Sequence, residues 1–140
     1  MQAEHAHFVE QLVEAWNSHD AVQAARCYAP NFEGADIGQT APLHGRQEME
    51  EYFARFFTAF PDVQLRVDSV VADEDRYAIA WTAHGTHLGK LMNIPPSGKH
   101  VSVHGITMLR TQTGQVIHAQ TVWDMAGLLR SIGLLPRLSR

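Results

Sequence analysis

The amino-acid sequence predicts an α+β domain in which helices pack on one face of a curved antiparallel sheet. Apolar residues recur at helical spacing before residue 60, and the period of the pattern changes to two after residue 63. Four segments with this shorter period follow one another, which is typical of a meander of neighbouring antiparallel strands. Helices that precede and cover such a sheet leave room for a cone-shaped cavity between the two layers.

The first two helices are predicted from apolar spacing and from residues that start or stop a helix. About residues 4 to 17 should be helical, because large apolar side chains recur there every three or four positions. Asp20 can cap a short second helix, which stops at Pro30. Residues 31–44 carry no clear period and are expected to be irregular.

A third helix is predicted between Gly45 and Pro61, and a short fourth one after the sheet. The fourth has the sequence "MAGLLRSIGLL", opened by Asp124 and closed near Gly133. The third should cover the sheet, because it has a broad apolar stripe. This stripe consists of Met49, Phe53, Phe56, Phe57 and Phe60.

The four predicted strands have the sequences "VQLRVDSVV", "RYAIAWTAHGTH", "KHVSVHGITMLR" and "QVIHAQTVWD". Turn signals separate them, with the sequences "ADEDR", "NIPPSG" and "TQTGQ". Short turns between successive strands indicate that each strand pairs with the next.

Length, charge and cysteine content restrict the classes of function. The 140 residues, 45 % of them apolar, suit one domain over 1–140 with one core. The net charge of −4 includes no long charged run, so neither nucleic acid nor membrane is an expected partner. Cys27 is the single cysteine, which excludes an internal disulfide and a multi-cysteine metal site. With no apparent signal peptide or membrane span, we expect a soluble, cytoplasmic protein with a small-molecule partner.

Four of the nine histidines lie between His84 and Gly105. His84 and His87 are three apart, and strand residues three apart point to opposite faces. His100 and His104 are four apart and share a face, but a rise of about 3.3 Å per residue separates them by about 13 Å. Because Zn–N bonds are about 2 Å long, neither pair can hold one ion, and we predict no metal site.

The last hairpin brings a carboxylate and an imidazole onto one face of the predicted sheet. The segment "TQTGQ" fits a three-residue loop, which would place Thr111 opposite Gln115. Counting outward from that pair, Asp124 lies opposite Ser102 and diagonal to His104. The other members of this face are Gln120 opposite Ile106, His118 opposite Met108, and Val122. Because Ile106, Met108 and Val122 share the face, the pair is expected to lie against apolar side chains rather than in open water.

A carboxylate in apolar surroundings can take a proton from a carbon next to a carbonyl group, and a histidine can hydrogen-bond the enolate oxygen. Asp124 and His104 are therefore the candidate catalytic residues, and the chemistry needs no cofactor. Each has a plain structural alternative, since Asp124 can simply cap the last helix and His104 can be a strand histidine with satisfied hydrogen bonds. The candidate substrate contacts are Trp16, Phe53, Phe57, Trp81, Met108, His118 and Gln120, the aromatic ones alternatively being plain core.

Residues 81–135 resemble the SnoaL-like polyketide cyclases, also labelled ester cyclases, of the NTF2-like superfamily. The resemblance rests on four motifs in family order, W-x-x-HGTH-x-G, IPP-[ST]-G, R-x-x-x-G and W-D-x-x-G-L-L-x-x-[IL]-G. The segments "AWNSHD", "YAPNF", "HGRQEMEEYF" and "FPD" extend it more loosely over the first half of the chain.

The resemblance implies a half-open cone of helices and strongly bent sheet, assembled as a homodimer or higher oligomer. Its characterised members use an acidic residue for an intramolecular aldol closure of an aromatic polyketide ester, without metal or cofactor. That residue corresponds to Asp124, and His104 is the best match for its polar helper. A further polar pocket residue of the family corresponds to Glu33 or Asp36. The fold also serves isomerases, dehydratases and epoxide hydrolases, and a non-catalytic module that binds a small ligand is the alternative of another class.

Overall fold

The computed structural model describes residues 1–39 and 41–138, and within them four helices pack on a six-stranded mixed sheet. The helices are α1 (Ala3–Trp16), α2 (Ala21–Ala25), α3 (Gly45–Ala59) and α4 (Met125–Ser131). The strands are β1 (Tyr28–Asp36), β2 (Leu43–His44), β3 (Gln64–Asp73), β4 (Arg76–Thr86), β5 (His100–Gln112) and β6 (Gln115–Trp123). The predicted α+β fold class is confirmed.

The strand order is β2-β1-β6-β5-β4-β3. Strands β3 to β6 form the predicted antiparallel meander. Residues 31–44, which were expected to be irregular, instead form most of β1, which runs parallel to β6, and all of β2, which pairs with β1. The second helix ends at Ala25, earlier than predicted, and β1 already begins at Tyr28. The two-residue period of β1 is hidden because the register shifts between Tyr28 and Glu33, around Pro30, which has no N–H group for the ladder.

The turn between β5 and β6 is shorter than predicted. Thr113 and Gly114 both have positive φ, 52° and 77°, which is typical of a two-residue type I′ turn. Gln112 therefore pairs with Gln115, and the register shifts again just beyond Thr111. The loop thus has two residues where three were expected, and an irregularity in the ladder follows it.

The shorter turn and the register shift together displace the pairing by two residues from the predicted one. Met108 lies opposite Gln120, where Ile106 was expected. At the end of the hairpin the Asp124 N–H donates to the His104 carbonyl oxygen, so Asp124 lies opposite His104 itself. A displacement of two leaves every side chain on its predicted face, because the side-chain period of a strand is two.

Both predicted helix caps are present. Asp20 accepts hydrogen bonds from the backbone N–H groups of Val22 and Gln23, and Asp124 accepts one from Gly127. These carboxylates satisfy donors that the first turn of a helix leaves without an intrahelical partner.

The β4–β5 connection folds back onto the end of α3. The N–H groups of Leu88 and Gly89 both donate to the Ala59 carbonyl oxygen. A Cβ atom on Gly89 would lie 2.1 Å from the Thr58 carbonyl oxygen, so this approach requires glycine. His87 is fully buried here, with Nδ1 2.9 Å from the Ser97 hydroxyl oxygen.

Neither a metal cluster nor a membrane-spanning helix is present in residues 1–39 and 41–138. No group of three or more His, Cys, Asp and Glu side chains is placed to hold an ion. No helix is both long and apolar enough to cross a membrane.

Candidate active site

An aromatic cavity of about 180 Å³ lies between helices α1 and α3 and the inner face of the sheet, the face that these helices cover. Leu128 of α4 closes part of its wall. Four of the predicted substrate contacts line it, Trp16, Phe53, Phe57 and Trp81. Contact with a substrate stays a prediction for all four.

The aromatic cavity contains one buried carboxylate among its described residues, that of Asp36 at the end of β1. Asp36 is 4 % exposed. Its Oδ1 atom accepts hydrogen bonds of 2.7 Å from the Gly38 N–H and 2.7 Å from the Trp123 indole N–H. Its Oδ2 atom accepts a hydrogen bond from the Tyr52 hydroxyl. Three donors from three elements of the fold therefore hold this carboxylate.

Tyr52 stays protonated as a donor to Asp36. Desolvation raises the pKa of Tyr52 well above its ordinary value of 10.0, and the nearby charge of Asp36 raises it further. A carboxylate has about four acceptor positions, and the protein occupies three of those on Asp36. One position on Oδ2 is left for a ligand or a proton.

Two further polar groups interrupt the apolar wall. The Trp81 indole donates to the Thr107 hydroxyl, which is 2.9 Å from the Thr121 hydroxyl. In the second group, the Trp16 indole donates to the Tyr28 hydroxyl over 3.1 Å. Burial raises the pKa of Tyr28, so this hydroxyl also keeps its proton.

Asp124 and His104 lie together on the outer face of the sheet, the face turned away from α1 and α3. Both are exposed and line a shallow depression, and neither is part of the wall of the aromatic cavity. The Asp124 carboxylate accepts a 2.8 Å hydrogen bond from Gly127, as a helix cap does. The structure thus brings the two predicted catalytic residues together but in a water-exposed setting. Their catalytic role stays a prediction.

A chain of hydrogen bonds fixes the His104 ring on the outer face. The Thr82 hydroxyl donates to Asp68 over 2.6 Å and is 2.9 Å from His104 Nδ1. Because the single hydroxyl proton goes to Asp68, His104 must donate from Nδ1 to Thr82. The bonds from Thr82 and Arg66 hold the pKa of Asp68 below its usual value.

The remaining predicted substrate contacts, Met108, His118 and Gln120, line a second depression on the outer face and not the aromatic cavity. The expectation that this face supplies apolar walls around Asp124 is wrong. Its apolar members are open to solvent, with exposures of 46 % for Ile106, 53 % for Met108 and 43 % for Val122.

The family resemblance left open whether the further polar pocket residue corresponds to Glu33 or to Asp36. Glu33 is exposed, whereas Asp36 is buried in the aromatic cavity. Sequence reasoning missed the partners of Asp36, although two signals were available. Tyr52 lies three residues after Met49 of the apolar stripe and therefore shares its face of α3. Trp123 directly precedes Asp124, which lies on the outer face, so the Trp123 side chain points to the inner face.

Helices packed on an open mixed sheet define the NTF2-like class of α+β folds, which solved structures similar to this chain share. The chain belongs to the SnoaL-like polyketide cyclase family, which it matches over residues 6–132. Among proteins with curated descriptions, none matches the chain in sequence.

Solved structures share the fold over most of the chain. AclR, a candidate hydroxylase from Streptomyces galilaeus, is 31 % identical over 100 % of this chain and 91 % of its own, with a TM-score of 0.86. IdmH, a candidate polyketide cyclase from Streptomyces antibioticus, is 25 % identical over 91 % and 97 %, with a TM-score of 0.78. A protein with a ketosteroid isomerase-like fold from Catenulispora acidiphila, in complex with trimethylamine, is 19 % identical over 91 % and 93 %, with a TM-score of 0.79.

Proposed function

We propose that the aromatic cavity binds a small apolar carbonyl compound and that Asp36 removes a proton from the carbon next to its carbonyl group. The observation that carries this proposal is the Asp36 carboxylate, buried in an apolar cavity with one acceptor position left on Oδ2. Membership of a cyclase family supports proton transfer at carbon, since it is the first step of an aldol-type ring closure.

The wall of the cavity limits the charge and size of the substrate. No lysine or arginine is among the described residues that line it, so these residues include no permanently cationic side chain to offset a carboxylate or phosphate on the substrate. An apolar cavity of about 150 Å³ holds benzene. A volume of about 180 Å³ therefore suits one ring with a short substituent. We infer a neutral compound about the size of one ring that carries two carbonyl groups, such as a diketone or a keto-ester, as the substrate class.

The proton-transfer step uses protein groups alone. Asp36 Oδ2 forms an O–H bond with the proton, the C–H electron pair becomes the enolate double bond, and the carbonyl π pair moves onto oxygen. The enolate carbon then attacks the carbon of a second, ketone carbonyl group of the same substrate, and the new C–C bond closes the ring. The first carbonyl group reforms, and the π pair of the attacked carbonyl group moves onto its oxygen as an alkoxide. The Asp36 proton goes to the new alkoxide, so that the carboxylate is regenerated.

Exchange of α-deuterium from a ring-sized ketone into water tests this function. The ketone is acetophenone deuterated on its methyl group, followed by NMR. Asp36→Asn keeps the shape of the side chain and should lower the exchange rate by about 10²- to 10⁴-fold. Asp124→Asn is the matched control, and on this proposal the variant exchanges at the wild-type rate. Undiminished exchange by Asp36→Asn contradicts the proposal.

The same two variants test the role predicted for Asp124 and His104. Loss of exchange in Asp124→Asn, with exchange retained in Asp36→Asn, would assign the chemistry to the outer pair. A wild-type protein that binds acetophenone without accelerating its exchange would instead be a binding module. The implied homodimer or higher oligomer also stays a prediction, and the exposed apolar side chains of the outer face are compatible with it.

A further inference from the structure

Three side chains on the inner face of neighbouring strands form a hydrogen-bonded chain. The Trp81 indole on β4 donates to the Thr107 hydroxyl on β5 over 3.0 Å. The Thr107 hydroxyl lies 2.9 Å from the Thr121 hydroxyl on β6. All three side chains line the aromatic cavity, so the row of hydrogen bonds runs across the cavity wall from one strand to the next.

A count of protons shows that one of the two hydroxyl protons in this row of hydrogen bonds has no acceptor among the described residues. The two hydroxyl groups carry two protons, and the bond between them uses one. Neither hydroxyl donates to any other group among the described residues. Since the indole occupies Thr107 as an acceptor, it strengthens Thr107 as a donor to Thr121. The free proton then belongs to Thr121, which is half-buried where Thr107 is 5 % exposed.

Thr121 is the cross-strand neighbour of Asp36. The two residues are paired in the parallel β1–β6 ladder, where partner strands are about 4.8 Å apart. Both side chains belong to the wall of the aromatic cavity. A hydroxyl donor therefore lies beside the carboxylate that has one acceptor position left.

We propose that the Thr121 hydroxyl donates a hydrogen bond to the carbonyl oxygen of the substrate, and that the Trp81 indole polarises this hydroxyl through Thr107. This inference rests on the proposed function, in which Asp36 takes the neighbouring proton. As the C–H bond breaks, negative charge gathers on that oxygen. A preorganised donor in an apolar cavity stabilises this charge more than it stabilises the neutral ketone.

Tyr28 provides a matched control within the same cavity. Its hydroxyl accepts a hydrogen bond from Trp16 and, among the described residues, donates to none, so it too has a spare proton. Tyr28 lies at the start of β1, eight residues before Asp36 and paired with Val116. It is a donor of the same kind in a position that does not adjoin the carboxylate.

The test compares acetophenone with ethylbenzene, which has similar size and no carbonyl group. Wild-type protein should bind acetophenone more tightly by about two- to tenfold, and the infrared carbonyl band of bound acetophenone should move to lower wavenumber. Thr121→Val should remove both the preference and the band shift, and should lower the exchange rate by about 10²-fold. Thr121→Ser keeps the hydroxyl and should retain all three. Tyr28→Phe should retain the band shift, because Tyr28 does not adjoin the Asp36 carboxylate.

Several results would overturn the inference. A carbonyl band that keeps its shift in Thr121→Val, or loses it in Tyr28→Phe, assigns the donor to another group. An Asp36→Asn protein that exchanges normally while Thr121→Val loses the band shift would contradict the proposed function and leave the oxygen site standing. If neither ring compound binds to the wild-type protein, the cavity is not a site for this class of ligand and both proposals fail.

Discussion

The cap at the start of α4 allows the structural and catalytic roles of Asp124 to be separated. Asp124→Ala removes the acceptor of the 2.8 Å hydrogen bond from the Gly127 N–H. Asp124→Asn keeps an oxygen at the same place, and asparagine caps a helix about as well as aspartate. Gly127 accommodates the carboxylate closely, because a Cβ atom there would lie 2.3 Å from Asp124 Oδ2.

Loss of this cap should lower the free energy of unfolding by about 1 kcal/mol. The helix cannot fray without cost, since Leu128 and Ile132 are buried in the smaller apolar cluster of the protein. For a chain of 140 residues, 1 kcal/mol corresponds to a fall in Tm of about 3 to 4 °C. Asp124→Asn should stay within about 1 °C of wild type, because the cap is retained.

Thermal unfolding followed by circular dichroism measures both variants, and urea unfolding gives the change in free energy. The reasoning is refuted if Asp124→Ala unfolds at the wild-type temperature, or if Asp124→Asn is as unstable as the alanine variant. If Asp124→Asn is stable but inactive in the deuterium exchange assay, the side chain has a chemical role besides the cap.

Two other substitutions test separate contacts. Gly89→Ala brings a Cβ atom within 2.1 Å of the Thr58 carbonyl oxygen and should destabilise the protein by about 1 to 3 kcal/mol in urea unfolding. An unchanged midpoint would show that the connection can move away from α3. Hydrogen bonds from Thr86 lower the pKa of Asp62 from its ordinary value of 3.8. They therefore stabilise the folded protein above pH 3.8, and this stabilisation is lost as the pH falls through the lower pKa of Asp62 in the folded state. The Tm difference between wild type and Thr86→Val should therefore narrow in acid, and a constant difference would contradict this.

The meander could be predicted from the sequence because each of its strands has a clear two-residue period and a turn signal after it. Strand β1 could not, since Pro30 and a register shift hide its period and its main partner is distant in the chain. Asp36 was consequently left as one of two alternatives. Its burial depends on the pairing of β1 with β6, which no local pattern reveals.

The outer face was mistaken for a cavity wall for a different physical reason. The register count placed Ile106 and Val122 on one face, and the structure agrees with that grouping. Apolar side chains also occupy the opposite face, where Val101 and Leu109 are buried. When both faces of a strand are apolar, its period does not indicate which one the helices cover.

The hydrogen bond between Trp123 and Asp36 joins positions that are 87 residues apart in the chain. During synthesis, nearly the whole meander has to be translated before β1 can pair with β6 and the Asp36 carboxylate can accept a hydrogen bond from the Trp123 indole. Closing so long a loop is slow compared with forming the local hairpins. We therefore expect Asp36 to become buried late in folding, so that a nascent chain that ends before residue 123 leaves this carboxylate in water.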